Sequence, residues 1–183
     1  DHDSGSVRLC NILRLLLDEA CAVTFFADNR AYVPGYSTAL QQMGVEVLWH
    51  PYLSDPVSWF EQNGKYLDLV FISRHYIASS YVELVRRHAP KARLAFDTVD
   101  LHYLREQRAA ELAGSADLAR SAEKTRDKEL ALIHNSDVTL VVSPVEQQLL
   151  AREAPGARVD ILSNVHEILG RRRDFAERSG IWF

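Results

Sequence analysis

The stretch from Arg93 to Glu106 carries the side chains best suited to chemistry. Asp97, Asp100 and His102, two carboxylates and an imidazole, fall within six residues of one another. They follow the apolar run Leu94-Ala95-Phe96 and precede a helical pattern. In an open parallel α/β sheet, ligands bind beyond the carboxyl ends of the strands, so titratable groups at such a place are candidates for proton transfer and charge stabilisation. An imidazole is the side chain best suited to proton handling, which makes His102 a candidate for it. Asp97 or Asp100 could equally do no more than cap the helix that follows.

Three other places carry candidates. Ser4, Gly5 and Ser6 stand directly before an amphipathic helical pattern, where free N–H groups can meet an oxyanion or a sugar hydroxyl, although Ser there also serves as a plain N-cap. Arg74 ends an apolar strand and could meet an anionic group or pair with a local carboxylate. Asn164 and His166 follow the last strand pattern. The remaining candidates read as ordinary. His75 and His88 look like surface residues, and His50 sits before Pro51 in a turn. Tyr32, Tyr36, Trp49 and Trp59 read as core or surface aromatics. Glu123, Asp127 and Glu129 share a helix with Lys124, Arg126 and Lys128 and read as a solvated face.

The elements that must position these residues alternate. Apolar strand patterns cover 22–27, 45–49, 67–72, 93–96, 138–142 and 158–162, and helical patterns separate them. The helices are expected near 7–17, 35–43, 54–63 and 77–88, across 104–135 with a break at Gly114-Ser115, and from Pro144. Ser143-Pro144-Val145-Glu146 is the clearest start, a capping box with Pro at the first helical position. Six apolar strands with short connections predict an α/β fold, a Rossmann-like parallel sheet with helices on both faces. Residues 1–167 read as one such domain that begins with a helix, its preceding strand missing. Residues 168–183 read as a polar, basic linker and the start of a truncated second domain, so a fragment of a larger protein is expected.

Composition narrows the function classes. The 183 residues hold 21 Lys+Arg against 25 Asp+Glu, a formal charge of −4, which gives no reason to expect nucleic acid as a partner. The basic run Arg171-Arg172-Arg173 reads as solvated. Cys10 and Cys21 lack metal-ligand spacing and read as buried free thiols of a reducing compartment. No apolar run approaches a membrane span and no stretch reads as a signal peptide, so the expected home is the cytoplasm.

Asp3-Ser4-Gly5-Ser6, Phe96-Asp97-Thr98-Val99-Asp100-Leu101-His102 and Ser163-Asn164-Val165-His166-Glu167 occur in that order. Together they resemble the N-terminal domain of bacterial GT-B glycosyltransferases of the large retaining family that includes O-antigen and other surface-polysaccharide enzymes. The resemblance spans essentially the whole chain. It implies one half of a GT-B fold and transfer of a sugar from a nucleotide-sugar donor to a saccharide or lipid-linked acceptor. The acceptor would sit mostly on this domain and the nucleotide on a second one, with no metal and no cofactor beyond the donor substrate. Asp100 and His102 would then be the catalytic contacts. Ser4, Gly5, Ser6, Arg74, Asp97, Asn164 and His166 would bind substrate. A lipid-linked acceptor would bring peripheral contact with the inner face of the membrane, and a homodimer is compatible with the sequence. The family's donor-binding carboxylate motif belongs to the second domain and is absent here.

Two alternatives stay open. One is half of a nucleotide-sugar epimerase of the same architecture. The other is a non-catalytic α/β binding or receiver-like domain, although the Lys a receiver needs is not evident. A dinucleotide-binding loop would want Gly-x-Gly-x-x-Gly, and the single glycine of Ser4-Gly5-Ser6 does not supply it.

Overall fold

The computed structural model describes residues 4–166, 168, 170, 174–177, 179 and 180. Strands and helices alternate in the order α1 (Ser4–Asp18), β1 (Thr24–Phe25), α2 (Tyr36–Gln42), β2 (Glu46–Val47), α3 (Pro56–Asn63), β3 (Leu69–Ser73), α4 (His75–His88), β4 (Arg93–Asp97), α5 (His102–Ala113), α6 (Ala116–Asn135), β5 (Val138–Val141), α7 (Pro144–Glu153) and β6 (Val159–Ile161). Short 3₁₀ turns cover Gly64–Tyr66 and Phe175–Glu177. The expected α/β class is observed: all pairings are parallel and helices flank the strands. The strands, however, divide between two sheets, β1-β2 and β3-β4-β5-β6. Only two residues of each strand pair in the first, Thr24 with Glu46 and Phe25 with Val47.

Within the larger sheet the chain steps β3, β4, β5, β6 in one direction. Right-handed crossovers therefore lay α4, α6 and α7 on one face. Alternate residues of the strands face those helices. Ile72, Leu94, Phe96 and Val141 join Val82 and Val85 of α4, Leu132 and Ile133 of α6 and Leu150 of α7 in the main core. Burying a side chain the size of Phe96, which is fully enclosed, contributes about 2–3 kcal/mol. The period of two turns Asp97, next to Phe96, toward the opposite face, where α1 meets it. A second cluster packs Leu13 of α1 against Val45 and Val47, so α1 touches both sheets.

Helix ends follow the capping chemistry in the sequence. Asp55 accepts from Val57 and Ser58 N–H at the start of α3, with Pro56 in the first turn. Ser143 accepts from Glu146 N–H at the start of α7. The other half of that capping box is rearranged. The Glu146 carboxylate accepts from Val142 N–H at 3.1 Å and from Leu101 N–H at 3.4 Å, linking α7 to the loop after β4. Ser4, Gly5 and Ser6 form the first turn of α1 rather than a loop ahead of it. The free cysteines, expected to be buried, lie half-buried at Cys10 and exposed at Cys21, because Cys21 falls in the short link between α1 and β1. Asp3, Glu167, Arg171–Arg173 and the strand start expected at 181–183 lie outside the described residues. Among the described residues, no helix is long and apolar enough to cross a membrane.

Candidate functional site

The carboxyl ends of β3 and β4 lie side by side, Ser73 in register with Asp97. Each strand leaves the sheet through a non-glycine residue in the left-handed region, Arg74 at φ 73° and Val99 at φ 64°. Such backbone costs of order 1–3 kcal/mol per residue and concentrates at functional sites. Here it turns the chain sharply from each strand into its helix, so that His75 opens α4 and His102 opens α5. Their rings meet edge to face with centroids 4.7 Å apart.

Around His102 the contacts are polar. Its Nδ1 lies 3.2 Å from the Asp100 carbonyl and 3.5 Å from the Asp100 carboxylate. Asp100 Oδ2 in turn accepts from Arg105 at 2.8 Å. Neither Asp97 nor Asp100 caps α5. That role belongs to Glu129 of α6, whose carboxylate accepts from His102 N–H at 3.2 Å and Tyr103 N–H at 2.9 Å. Glu129 is fully buried, and the reading of it as a solvated face is thereby corrected. The signal was its spacing: Ala122, Glu129 and Ile133 form one buried stripe of α6, at intervals of seven and four. Burial pushes the Glu129 carboxyl up to about 7, against the two backbone N–H groups that favour its ionised form. His75, expected at the surface, is half-buried and stands 3.8 Å from Glu129. Burial, followed by the charge of His102, lowers its pKa.

Asp97 is enclosed, 1% exposed, and accepts two hydrogen bonds from Arg8 and one from Ser73. Three hydrogen bonds to neighbours within the fold and near-complete burial place it as an anchor rather than on an open surface. Arg8 also donates to the carbonyls of Leu162 and Ser163, and Asn11 donates to that of Val165 at 2.7 Å. Thus α1 holds the 163–166 segment against the strand ends. Sequence reasoning missed Arg8. Its place four residues before Ile12, on the inward stripe of α1, was the available sign.

Of the remaining candidates, Arg74 is half-buried; its backbone N–H donates to the Asp97 carbonyl at 2.8 Å, and its guanidinium has no hydrogen-bond or ion-pair partner among the described residues. Asn164 and His166 are exposed, and His166 lines an open groove with Asn11, Arg14, Leu15 and Val165. Ser4 and Ser6 are exposed on the first turn of α1, one turn ahead of Arg8. Past the ends of β1 and β2, Trp49 packs between Tyr32 and Tyr52, at 4.8 and 5.1 Å.

No protein-family model matches the chain, and neither does any curated protein or solved structure.

Proposed function

We propose that this chain is the acceptor-side domain of a GT-B glycosyltransferase, acting with a nucleotide-binding second domain. The observation that carries the reading is convergence. The residues after β3, after β4 and after β6, which hold Arg74, Asp100 with His102, and Asn164 with His166, all leave the carboxyl edge of one parallel sheet, where α/β folds bind ligands. The first helix, with Ser4–Ser6 at its start, is bolted to the same edge through Arg8 and Asn11. These groups suit glycosyl transfer. An acceptor hydroxyl must lose a proton, and His102, oriented by Asp100, can take one. Positive charge builds at the anomeric carbon, and a carboxylate such as Asp100 stabilises it. The leaving phosphate needs cationic or N–H donors, and the Arg74 guanidinium, without a partner among the described residues, is one.

The acceptor would be a saccharide or a lipid-linked glycan, met from the cytoplasmic side of a membrane. The test is release of free nucleotide from UDP-, GDP- and dTDP-sugars with candidate acceptors, using this domain joined to its nucleotide-binding partner domain. Acceptor-dependent turnover that falls at least about a hundredfold in His102→Ala and Asp100→Ala, with folding intact, supports the reading. Turnover unchanged in both variants refutes the roles given to these residues.

A further inference from the structure

The strongest unassigned feature is a knot of donor atoms beneath His102. His75 opens α4, His102 opens α5, Glu106 follows one turn later on α5, and Glu129 comes in from α6. Ligand atoms of His75, His102 and Glu129 all lie within 4.8 Å of one another. His75 Nδ1 and His102 Nδ1 stand 3.8 and 3.9 Å from the same oxygen, Glu129 Oε1. Two atoms in this region are buried and have no hydrogen-bond partner: His75 Nδ1 and Glu106 Oε2. Glu106 is close enough to act electrostatically on both His75 and Glu129. Buried polar atoms are nearly always satisfied, so two orphans beside one cluster ask for a shared partner.

We propose that His75, His102 and Glu129 form a binding site for one divalent transition-metal ion of the zinc type, with the Glu106 carboxylate as a charged neighbour of the ion rather than a direct ligand. The donor set, two imidazoles and one carboxylate with a fourth position left open, is one that zinc and its neighbours accept. Tetrahedral ligands at bond lengths of about 2.0–2.1 Å stand about 3.3–3.4 Å apart. The two separations from Glu129, 3.8 and 3.9 Å, therefore close by roughly half an ångström. No pair in the cluster, all within 4.8 Å, has to close by more than about 1.4 Å. Rotation of two imidazoles and one carboxylate supplies that. Glu129 can ligate without releasing α5, because a carboxylate oxygen has two lone pairs and Oε1 accepts only one backbone N–H, at 3.2 Å. The ion would bridge the starts of α4 and α5 to α6, fixing the His102 ring from behind. Arg105 and Lys128 oppose a cation here, and Asp100, paired with Arg105, offsets the first of them. Because Asp100 and Glu129 both face His102 Nδ1, an ion bound there would take the place of the Asp100 contact and leave only Nε2 for proton transfer. The test reads metal binding and so does not depend on glycosyl transfer.

The experiment treats the chain with EDTA, removes the chelator and titrates with Co²⁺, following visible d–d absorption, then displaces the Co²⁺ with Zn²⁺. The same titration is run on His75→Gln and Glu106→Gln, with circular dichroism as the folding check; the buried His75 Nδ1 and Glu106 Oε2 make no hydrogen bond among the described residues. The expected result is one Co²⁺ per chain at micromolar or tighter affinity, weakened at least about tenfold in each variant. Absence of a d–d band at submillimolar protein, or binding that both variants leave unchanged, overturns the site.

Discussion

Arg8 and Asp97, 89 residues apart in sequence, meet in a two-pronged ion pair at 2.7 and 2.8 Å, with side chains 3% and 1% exposed. The pair joins the first helix to the middle of the larger sheet, and Arg8 extends it to the carbonyls of residues 162 and 163. One guanidinium therefore fixes the positions of α1, the end of β4 and the segment after β6. The candidate site is assembled from those three pieces and the end of β3, whose Ser73 also bonds to Asp97, so its geometry rests on a bond buried beneath it.

Breaking that bond from one side leaves a buried charge uncompensated. Arg8→Met or Asp97→Leu is expected to destabilise the fold by about 3–5 kcal/mol. The double variant should lose clearly less than the sum, because neither charge is then left alone. Arg8→Lys should recover little, since an ammonium cannot make the two-pronged contact and reach two carbonyls. Urea unfolding of the four variants checks this. Additive losses would show that the two residues act separately.

Glu129 supports a second prediction. It is the distant cap of α5, serving the N–H groups of His102 and Tyr103 where the local residue, Leu101, makes no side-chain cap. Glu129→Ala should cost about 2–3 kcal/mol and speed amide exchange at residues 102 and 103. Glu129→Gln, which keeps one accepting oxygen, should cost less. Unfolding midpoints combined with residue-resolved hydrogen exchange decide it. Unaltered exchange at those two amides would remove the capping role.

The order and type of the elements were legible in the sequence because apolar runs and helical stripes are local signals. Ser143, Asp55 and the break at Gly114 announced their helix ends for the same reason. The carboxyl-edge location of Arg74, Asp100 and His102 followed from strand-then-helix order alone. What could not be read were partners from far along the chain. Asp97 looked like an open carboxylate because nothing nearby marks Arg8 as its mate. Glu129 looked solvated because its neighbours Lys128 and Arg126 are charged, although its own position lies on the inward stripe of α6. The separation into two sheets was also out of reach, since it depends on which strand edges find one another rather than on any strand's composition.

Asp137 gives a prediction in pH. It accepts from Arg86 at 2.9 Å and from Leu94 N–H at 2.6 Å, and these bonds hold its carboxyl below the usual value, Arg86 contributing most. A carboxylate whose pKa is depressed by folding contributes stability that is complete above its unfolded pKa and is lost as pH falls through the folded one. The wild type should therefore lose this contribution from about pH 4 downward. Because the pair is 38% and 42% exposed and solvent screens it, Asp137→Asn should be weaker by only about 0.5–1 kcal/mol at neutral pH and should flatten that part of the acid limb. Denaturant midpoints of the two proteins from pH 7 to pH 2 measure it. Parallel curves would rule out the linkage.

Gly64 gives the last prediction, and here the cause is space. Its φ is −55°, an ordinary helical value, so backbone strain plays no part. A Cβ at this position would stand 2.8 Å from the carbonyl carbon of His88, at the end of α4, and closer still to its oxygen. The obstacle is backbone and cannot swing aside. Gly64→Ala should force the 3₁₀ turn after α3 away from α4 at a cost of about 1–3 kcal/mol. Gly114 is the opposite case, left-handed at φ 60° with nothing within 4 Å of a Cβ. Gly114→Asn keeps an accessible conformation and should cost only a few tenths of a kcal/mol, whereas Gly114→Val, β-branched, should cost more. Thermal melts of the three variants separate crowding from conformation. If Gly64→Ala melts with the wild type, α3 and α4 are not packed as closely as the geometry requires.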